Sequence, residues 1–122
     1  MIDRLNMIIS GLRNAVNLTV ENVLARLKEM NVELTEEDTA GDWGWSVISK
    51  AIDVGILNLS DADANAMYYV FRRCATLEEM VKEALLRPGE IDENFVNNLV
   101  DDFRENMEAL ARIRERINQL IT

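Results

Sequence analysis

Histidine is absent from this sequence of 122 residues, and cysteine and proline each occur once. The chain therefore lacks the side chains for a histidine–cysteine zinc site, a Ser-His-Asp triad or a disulfide framework. Glycine and proline are also too scarce for a collagen-like or low-complexity chain. With these classes excluded, we expect the lone Cys74 to be a small buried hydrophobe.

Long hydrophobic runs are missing as well. Charged residues interrupt the apolar ones near the N-terminus, and no stretch approaches the roughly twenty apolar residues that cross a bilayer. We therefore expect no signal peptide, no membrane partner and a cytoplasmic location. The length of 122 residues predicts a single all-α domain over residues 1–122.

Acidic residues outnumber basic ones by 22 to 13, which gives a net charge of −9. Nucleic acid and anionic lipid repel such a surface, so neither is expected as a direct partner. Residues 33–63 and 89–108 form two acidic blocks with net charges of −7 and −6. Such blocks are typical either of a solvated face that maintains solubility or of a surface that binds a basic protein partner.

Two long helices are predicted at the ends of the chain. Apolar residues recur at spacings of three and four over residues 2–30 and again over residues 92–121. No segment alternates as a strand would. The sequence predicts an all-α helical bundle in which long N- and C-terminal helices pair along their length and bracket three or four shorter helices.

The shorter helices are predicted from their capping residues. A helical turn is expected over residues 35–41, and Asp42 is expected to cap a helix over about 43–57. Ser60 and Thr76, each followed three residues later by an acidic residue, predict the starts of two further helices. Pro88 ends the second of these.

The last helix has a heptad stripe with a single polar member, an asparagine that would favour one register. Because its first half is acidic and its second half basic, two copies could pair antiparallel as a coiled-coil homodimer. Alternatively, the first helix of the same chain covers the stripe. The predicted self-association residues are Val96, Leu99, Phe103, Asn106, Leu110, Ile113 and Ile117.

Trp43 lies at the margin of the isoleucine stripe of its helix, next to acidic residues. An exposed tryptophan in such a place is typical of an interface anchor, although other helices of the chain could equally cover it. The predicted partner-binding residues are Trp43, Asp42, Glu36, Glu37, Asp38, Asp101, Asp102 and Glu105.

Carboxylates are the only plentiful chemical groups. Glu78, Glu79 and Glu83, with Asp101 and Asp102, partly match the paired acidic motifs of all-α pyrophosphohydrolases that hold magnesium. The spacing differs from that pattern, and helix-surface ion pairs with neighbouring cations explain the glutamates more simply. We therefore predict no catalytic residue, no bound metal and no cofactor.

These observations favour a non-enzymatic protein-interaction module, a small acidic regulator or inhibitor. It would bind a basic surface of a protein target and block the engagement of nucleic acid there. An inhibitor of this kind, encoded by a phage or mobile element, fits the same physics. Two alternatives are a structural subunit of a larger helical assembly and a carboxylate–magnesium hydrolase of the pyrophosphohydrolase type.

Overall fold

The computed structural model describes residues 1–35 and 44–122, and within these ranges the chain is an all-α bundle. Its helices are α1 (Ile2–Glu29), α2 (Trp45–Asp53), α3 (Asp61–Leu86) and α4 (Glu93–Leu120), with a 3-10 turn (Pro88–Glu90) between α3 and α4. The predicted fold class, with long helices at both ends, is confirmed.

Side-chain caps begin the two later helices. The Ser60 hydroxyl accepts a hydrogen bond of 3.1 Å from the backbone N–H of Asp63 at the start of α3. The Asp92 carboxylate accepts one of 2.8 Å from the N–H of Phe95 at the start of α4. Each cap satisfies a donor that the first helical turn would otherwise leave free, so the sequence located both starts correctly.

The structure has one helix, α3, where the sequence predicts two. Thr76 lies within α3 and caps nothing. No glycine or proline interrupts residues 61–86, and the buried stripe continues through both halves of the helix, so the predicted break is wrong. The apolar members of that stripe are Met67, Phe71, Cys74, Leu77, Val81 and Ala84.

Helix α2 is shorter than predicted. It begins after its N-cap Gly44, which has a φ of +86°, and it ends at Asp53 rather than near residue 57. The predicted cap, Asp42, lies outside the described residues, as does most of the predicted turn over residues 35–41. Gly55 follows the helix with a φ of +82°, a conformation that favours glycine.

Helices α1 and α4 run parallel and pair along their length. At one end the Arg4 guanidinium contacts Glu93 and Asn97, at 3.0 and 3.2 Å. At the other end Arg26 donates a hydrogen bond of 2.8 Å to the backbone carbonyl of Thr122. The predicted pairing of the first and last helices is therefore confirmed.

Helix α3 runs antiparallel to both. Near its C-terminal half Glu78 meets Arg13 of α1, and at its N-terminal end Asp63 lies 3.6 Å from Arg116 of α4. The short α2 lies over the groove between α1 and α3. Gly44, just before α2, has no side chain, so its backbone can lie close to Val16 and Val20 of α1.

The heptad stripe of α4 is covered inside the chain. Of its seven members, Phe103 is partly buried and the other six are buried in the core between the helices. The assignment of these residues as a self-association surface is thereby corrected: a second copy would require a different face. The buried members are Val96, Leu99, Asn106, Leu110, Ile113 and Ile117.

Close approach of α1 and α4 depends on Gly11. A Cβ atom at this position would lie only 2.7 Å from Cζ of Phe103, so the absence of a side chain makes room for the ring. Among the described residues, no helix is at once long and apolar enough to cross a membrane.

Candidate functional site

The structure locates three of the eight predicted partner-binding residues. Asp101, Asp102 and Glu105 are exposed on the first half of α4. The other five, Trp43, Asp42, Glu36, Glu37 and Asp38, lie outside the described residues.

Basic side chains of the same chain neutralise the three carboxylates on α4 only weakly. Glu105 lies 3.3 Å from the Arg73 guanidinium, and Asp101 lies 4.0 Å from that of Arg104. No basic group within the described ranges is that close to Asp102. Because exposed ion pairs contribute only about 0–1 kcal/mol, these carboxylates can exchange an internal cation for one on a partner.

An open groove lies at the end of the bundle where α3 turns into α4. We call it the turn-end groove; Met80, Ala84, Ile91 and Phe95 supply its apolar lining and Glu83, Arg87 and Glu90 its charged lining. Met80 and Phe95 are 42% and 36% exposed, which is high for large apolar side chains.

The turn-end groove and Asp102 share one side of α4. Phe95 and Asp102 are seven residues apart. Seven residues bring a helix back to within about 20° of its starting direction and advance it by about 10 Å. Arg73 of α3 forms an ion pair with Glu105 of α4, and this pair lies along the cleft between the two helices. The acidic rim of the groove therefore continues along the cleft.

Two other grooves differ in charge. The one between α1 and α4 is lined by Leu18, Met107 and Ala111 and has one cation, Arg114, and one carboxylate, Glu115. The one at the far end of the α3–α4 cleft carries two arginines and a single carboxylate. The turn-end groove has two carboxylates and one arginine, so it is the most acidic of the three.

The sequence did not single out the turn-end groove. Met80 and its neighbour Val81 are both apolar, but Val81 is buried and Met80 is exposed. Likewise, Phe95 is exposed and its neighbour Val96 is buried. Neighbouring helical residues point about 100° apart, so packing with other helices decides which of two apolar neighbours faces the core.

No protein family model, curated protein or solved structure matches this chain. What its surface does is therefore inferred from the residues themselves.

Glu78 is a buried carboxylate held between two cations. Its Oε1 accepts hydrogen bonds from Nε and Nη2 of Arg13, at 3.0 and 2.6 Å, and lies 3.4 Å from Nζ of Lys82. The glutamate side chain is 3% exposed, whereas that of Arg13 is 58% exposed. The cluster ties α1 to α3, since a buried charge must be paired.

The acidic residues of the hydrolase alternative are not brought together. Glu78 is occupied by its two cations, and Glu79 and Glu83 are exposed on the same helix. Asp101 and Asp102 are exposed on α4. Within the ranges that the structure describes, no group of three or more metal-ligating side chains could hold an ion.

The Trp45 ring packs in an aromatic cluster that attaches α2 to α3. Its centroid lies 5.5 Å from that of Tyr68, edge to face, and 6.0 Å from that of Phe71. Pairs of this geometry contribute about 0.5–1.5 kcal/mol beyond burial. Trp45 is thus partly buried against the core, whereas Trp43 lies outside the described residues.

Asn106 is the polar member of the buried heptad stripe. Its side-chain oxygen has no hydrogen-bond partner among the described residues. A buried acceptor without a partner costs about 1–3 kcal/mol of stability. The interpretation that Asn106 favours one register of α4 stays a prediction.

Cys74 is fully buried on α3, as expected. Burial raises the pKa of its thiol from an ordinary 9.0 to about 11, and the nearby positive charge of Arg73 opposes the rise. The thiol therefore stays protonated at neutral pH, where it is a poor nucleophile.

Cys74 should make stability fall in alkaline solution. Because the pKa of the thiol is raised in the folded state, the contribution of Cys74 to the free energy of unfolding is complete below pH 9. This contribution is lost as the pH rises towards about 11. Between these pH values we expect the wild type to lose up to about 2 kcal/mol more unfolding free energy than Cys74→Ala. Urea denaturation at each pH measures this difference; parallel pH profiles for the two proteins would contradict it.

Proposed function

We propose that this chain is a non-enzymatic regulator that binds a basic surface of a protein target. The observation that supports this most directly is the set of exposed, weakly compensated carboxylates on the first half of α4. They are Asp101, Asp102 and Glu105, and Asp102 lies on the same side of the helix as Phe95 of the turn-end groove.

The distribution of ion pairs supports the same proposal. Nine of the 13 basic side chains lie within 4.0 Å of a carboxylate of the same chain. Many carboxylates of the described ranges have no such cation, so the excess charge is presented to solvent. They include Asp3, Glu33, Asp53, Asp61, Glu79, Glu83, Asp102, Glu108 and Glu115.

The mechanism is electrostatic and steric. A concentrated anionic surface speeds encounter with a basic partner and disfavours acidic ones. A protein surface that holds nucleic acid is basic because it neutralises phosphates. The carboxylates of α4 would occupy the same lysines and arginines, and the bundle behind them would exclude the nucleic acid. Inhibition would require no reaction of either partner.

Charge removal on α4 tests the proposal. We expect Asp101→Asn/Asp102→Asn/Glu105→Gln to weaken binding of fluorescent decalysine about tenfold at low salt, since each exposed pair contributes up to about 1 kcal/mol. Fluorescence anisotropy at rising salt measures it, and wild-type binding should weaken steeply. The wild type should also release a duplex oligonucleotide from decalysine, which the triple variant should do poorly.

A matched variant distinguishes this surface from net charge alone. Glu33→Gln/Asp53→Asn/Glu115→Gln removes three charges from exposed residues elsewhere. At physiological salt it should bind decalysine within about twofold of the wild type, because exposed charges farther away than the Debye length of about 8 Å are then largely screened. Equal weakening by both triple variants would contradict the proposed surface. Binding that persists at high salt would favour the structural-subunit alternative.

A further inference from the structure

Five of the eleven large apolar side chains that are exposed among the described residues lie at the turn-end of the bundle. Leu86, the last residue of α3, is 81% exposed, and Met80 and Phe95 line the turn-end groove. Met1 and Ile2, each 48% exposed, adjoin Pro88 and Ile91 at the same end. An exposed apolar patch with a polar rim is typical of a protein-interaction site.

The charges around this patch select the chemistry of an occupant. Glu83 has no basic side chain of the described residues within 4.0 Å, and Glu90 has only the exposed Arg87, at 3.9 Å. Asp102 lies two helical turns along α4 from Phe95, about 10 Å away in the axial direction. The carboxylates of the rim are thus spread over about two helical turns, a spacing that suits a helical segment.

We infer that the turn-end groove binds a basic amphipathic helix of the protein target. An apolar side chain of that helix enters between Met80 and Phe95. Lysine or arginine side chains on its flanks pair with Glu83 and Glu90, and one about two turns farther along reaches Asp102. This inference rests on the proposed function and names the partner segment that the same acidic surface takes.

Charge complementarity is the reason for choosing this groove. The groove between α1 and α4 is also apolar, with Leu18 48% exposed, but its rim balances Arg114 against Glu115. A basic helix would find no excess of carboxylates there. Because an apolar anchor and a matching charge must both be present, the turn-end groove is the better site.

Two peptides of identical composition test the inference. The first is a helical peptide of leucine and lysine with its leucines on one face; the second has the same residues in an order without an apolar face. At physiological salt we expect the first to bind the wild-type chain at least about tenfold more tightly than the second, measured by calorimetry. Equal affinities would overturn the inference.

Substitutions on the groove locate the binding. Met80→Gln/Phe95→Gln should reduce the affinity of the amphipathic peptide to that of the scrambled one and leave the scrambled peptide unaffected. The matched control is Met7→Gln/Leu18→Gln, which changes two exposed apolar residues of α1. It should alter neither affinity, and a loss as large as that of the groove variant would overturn the inference.

Charge reversal on the rim gives an independent readout. Glu83→Lys/Glu90→Lys should weaken the amphipathic peptide at least tenfold while the circular dichroism of the protein is unchanged, because both side chains are exposed. An unchanged affinity would overturn the inference.

The proposed function can survive the loss of this inference. If decalysine still binds in a manner that depends on Asp101, Asp102 and Glu105, but the two peptides bind alike, only the groove assignment is wrong. If decalysine and both peptides fail to bind, the proposed function is overturned together with it.

Discussion

Gly44→Ala is expected to lower the free energy of unfolding by about 2–4 kcal/mol. Its φ of +86° is a left-handed conformation, which costs other residues about 1–2 kcal/mol. In addition, a Cβ atom would lie 3.1 Å from Val16 Cγ1 and 3.3 Å from Val20 Cγ1, and overpacking of this kind costs about 1–3 kcal/mol. Both effects act where α2 joins the bundle.

Gly55→Ala is the matched control for the Gly44 substitution. Gly55 has nearly the same φ, +82°, but, apart from its chain neighbours, no atom of the described residues lies within 4 Å of the position of an added Cβ. The Gly55→Ala variant should therefore lose only the free energy that the left-handed conformation costs, about 1–2 kcal/mol. Urea denaturation followed by circular dichroism measures both variants. If they lose equal stability, the packing of Gly44 on α1 contributes nothing.

Arg13→Met is expected to cost about 2–4 kcal/mol. The substitution leaves Glu78, which is 3% exposed, with Lys82 as its remaining basic neighbour. Removing one partner of a buried ion pair generally costs about 3–5 kcal/mol. We expect a smaller loss because Arg13 itself is more than half exposed and Lys82 remains in place.

Arg73→Met is the matched control for Arg13→Met. Its partner Glu105 is 67% exposed, so losing this ion pair should cost no more than about 1 kcal/mol. Adding Glu78→Met to Arg13→Met should recover at least half of the lost stability, because no buried charge is then left unpaired. Chemical denaturation of all four proteins checks this; similar costs for Arg13→Met and Arg73→Met would show that the burial of Glu78 is unimportant.

Local patterns in the sequence predicted most of the helices. The caps at Ser60 and Asp92 form as their side chains require, and apolar spacing located both α1 and α4. These features depend on residues within a turn or two of one another. The exposure of Asp101, Asp102 and Glu105 was predictable for the same reason, since charged residues off the apolar stripe of a helix remain in solvent.

Other features could not be obtained from local patterns. A capping pair at Thr76 predicts a helix start, but the continuous core contacts on both sides keep α3 intact. The burial of Glu78 depends on Arg13, 65 residues away in the chain. The turn-end groove also depends on residues that are distant in the chain. It exists because α3 and α4 pack with Val81 and Val96 inward and leave Met80 and Phe95 exposed.

The sequence by itself therefore determined an acidic, all-α chain, its long N- and C-terminal helices and the carboxylates of α4. Only the tertiary structure decided that the heptad stripe of α4 is covered within the chain and that an apolar groove lies on the same side of α4 as Asp102. Periodicity shows which face of a helix is apolar, but not what covers that face. The covering surface depends on the register and orientation of segments that are distant in the chain, and these are set by packing.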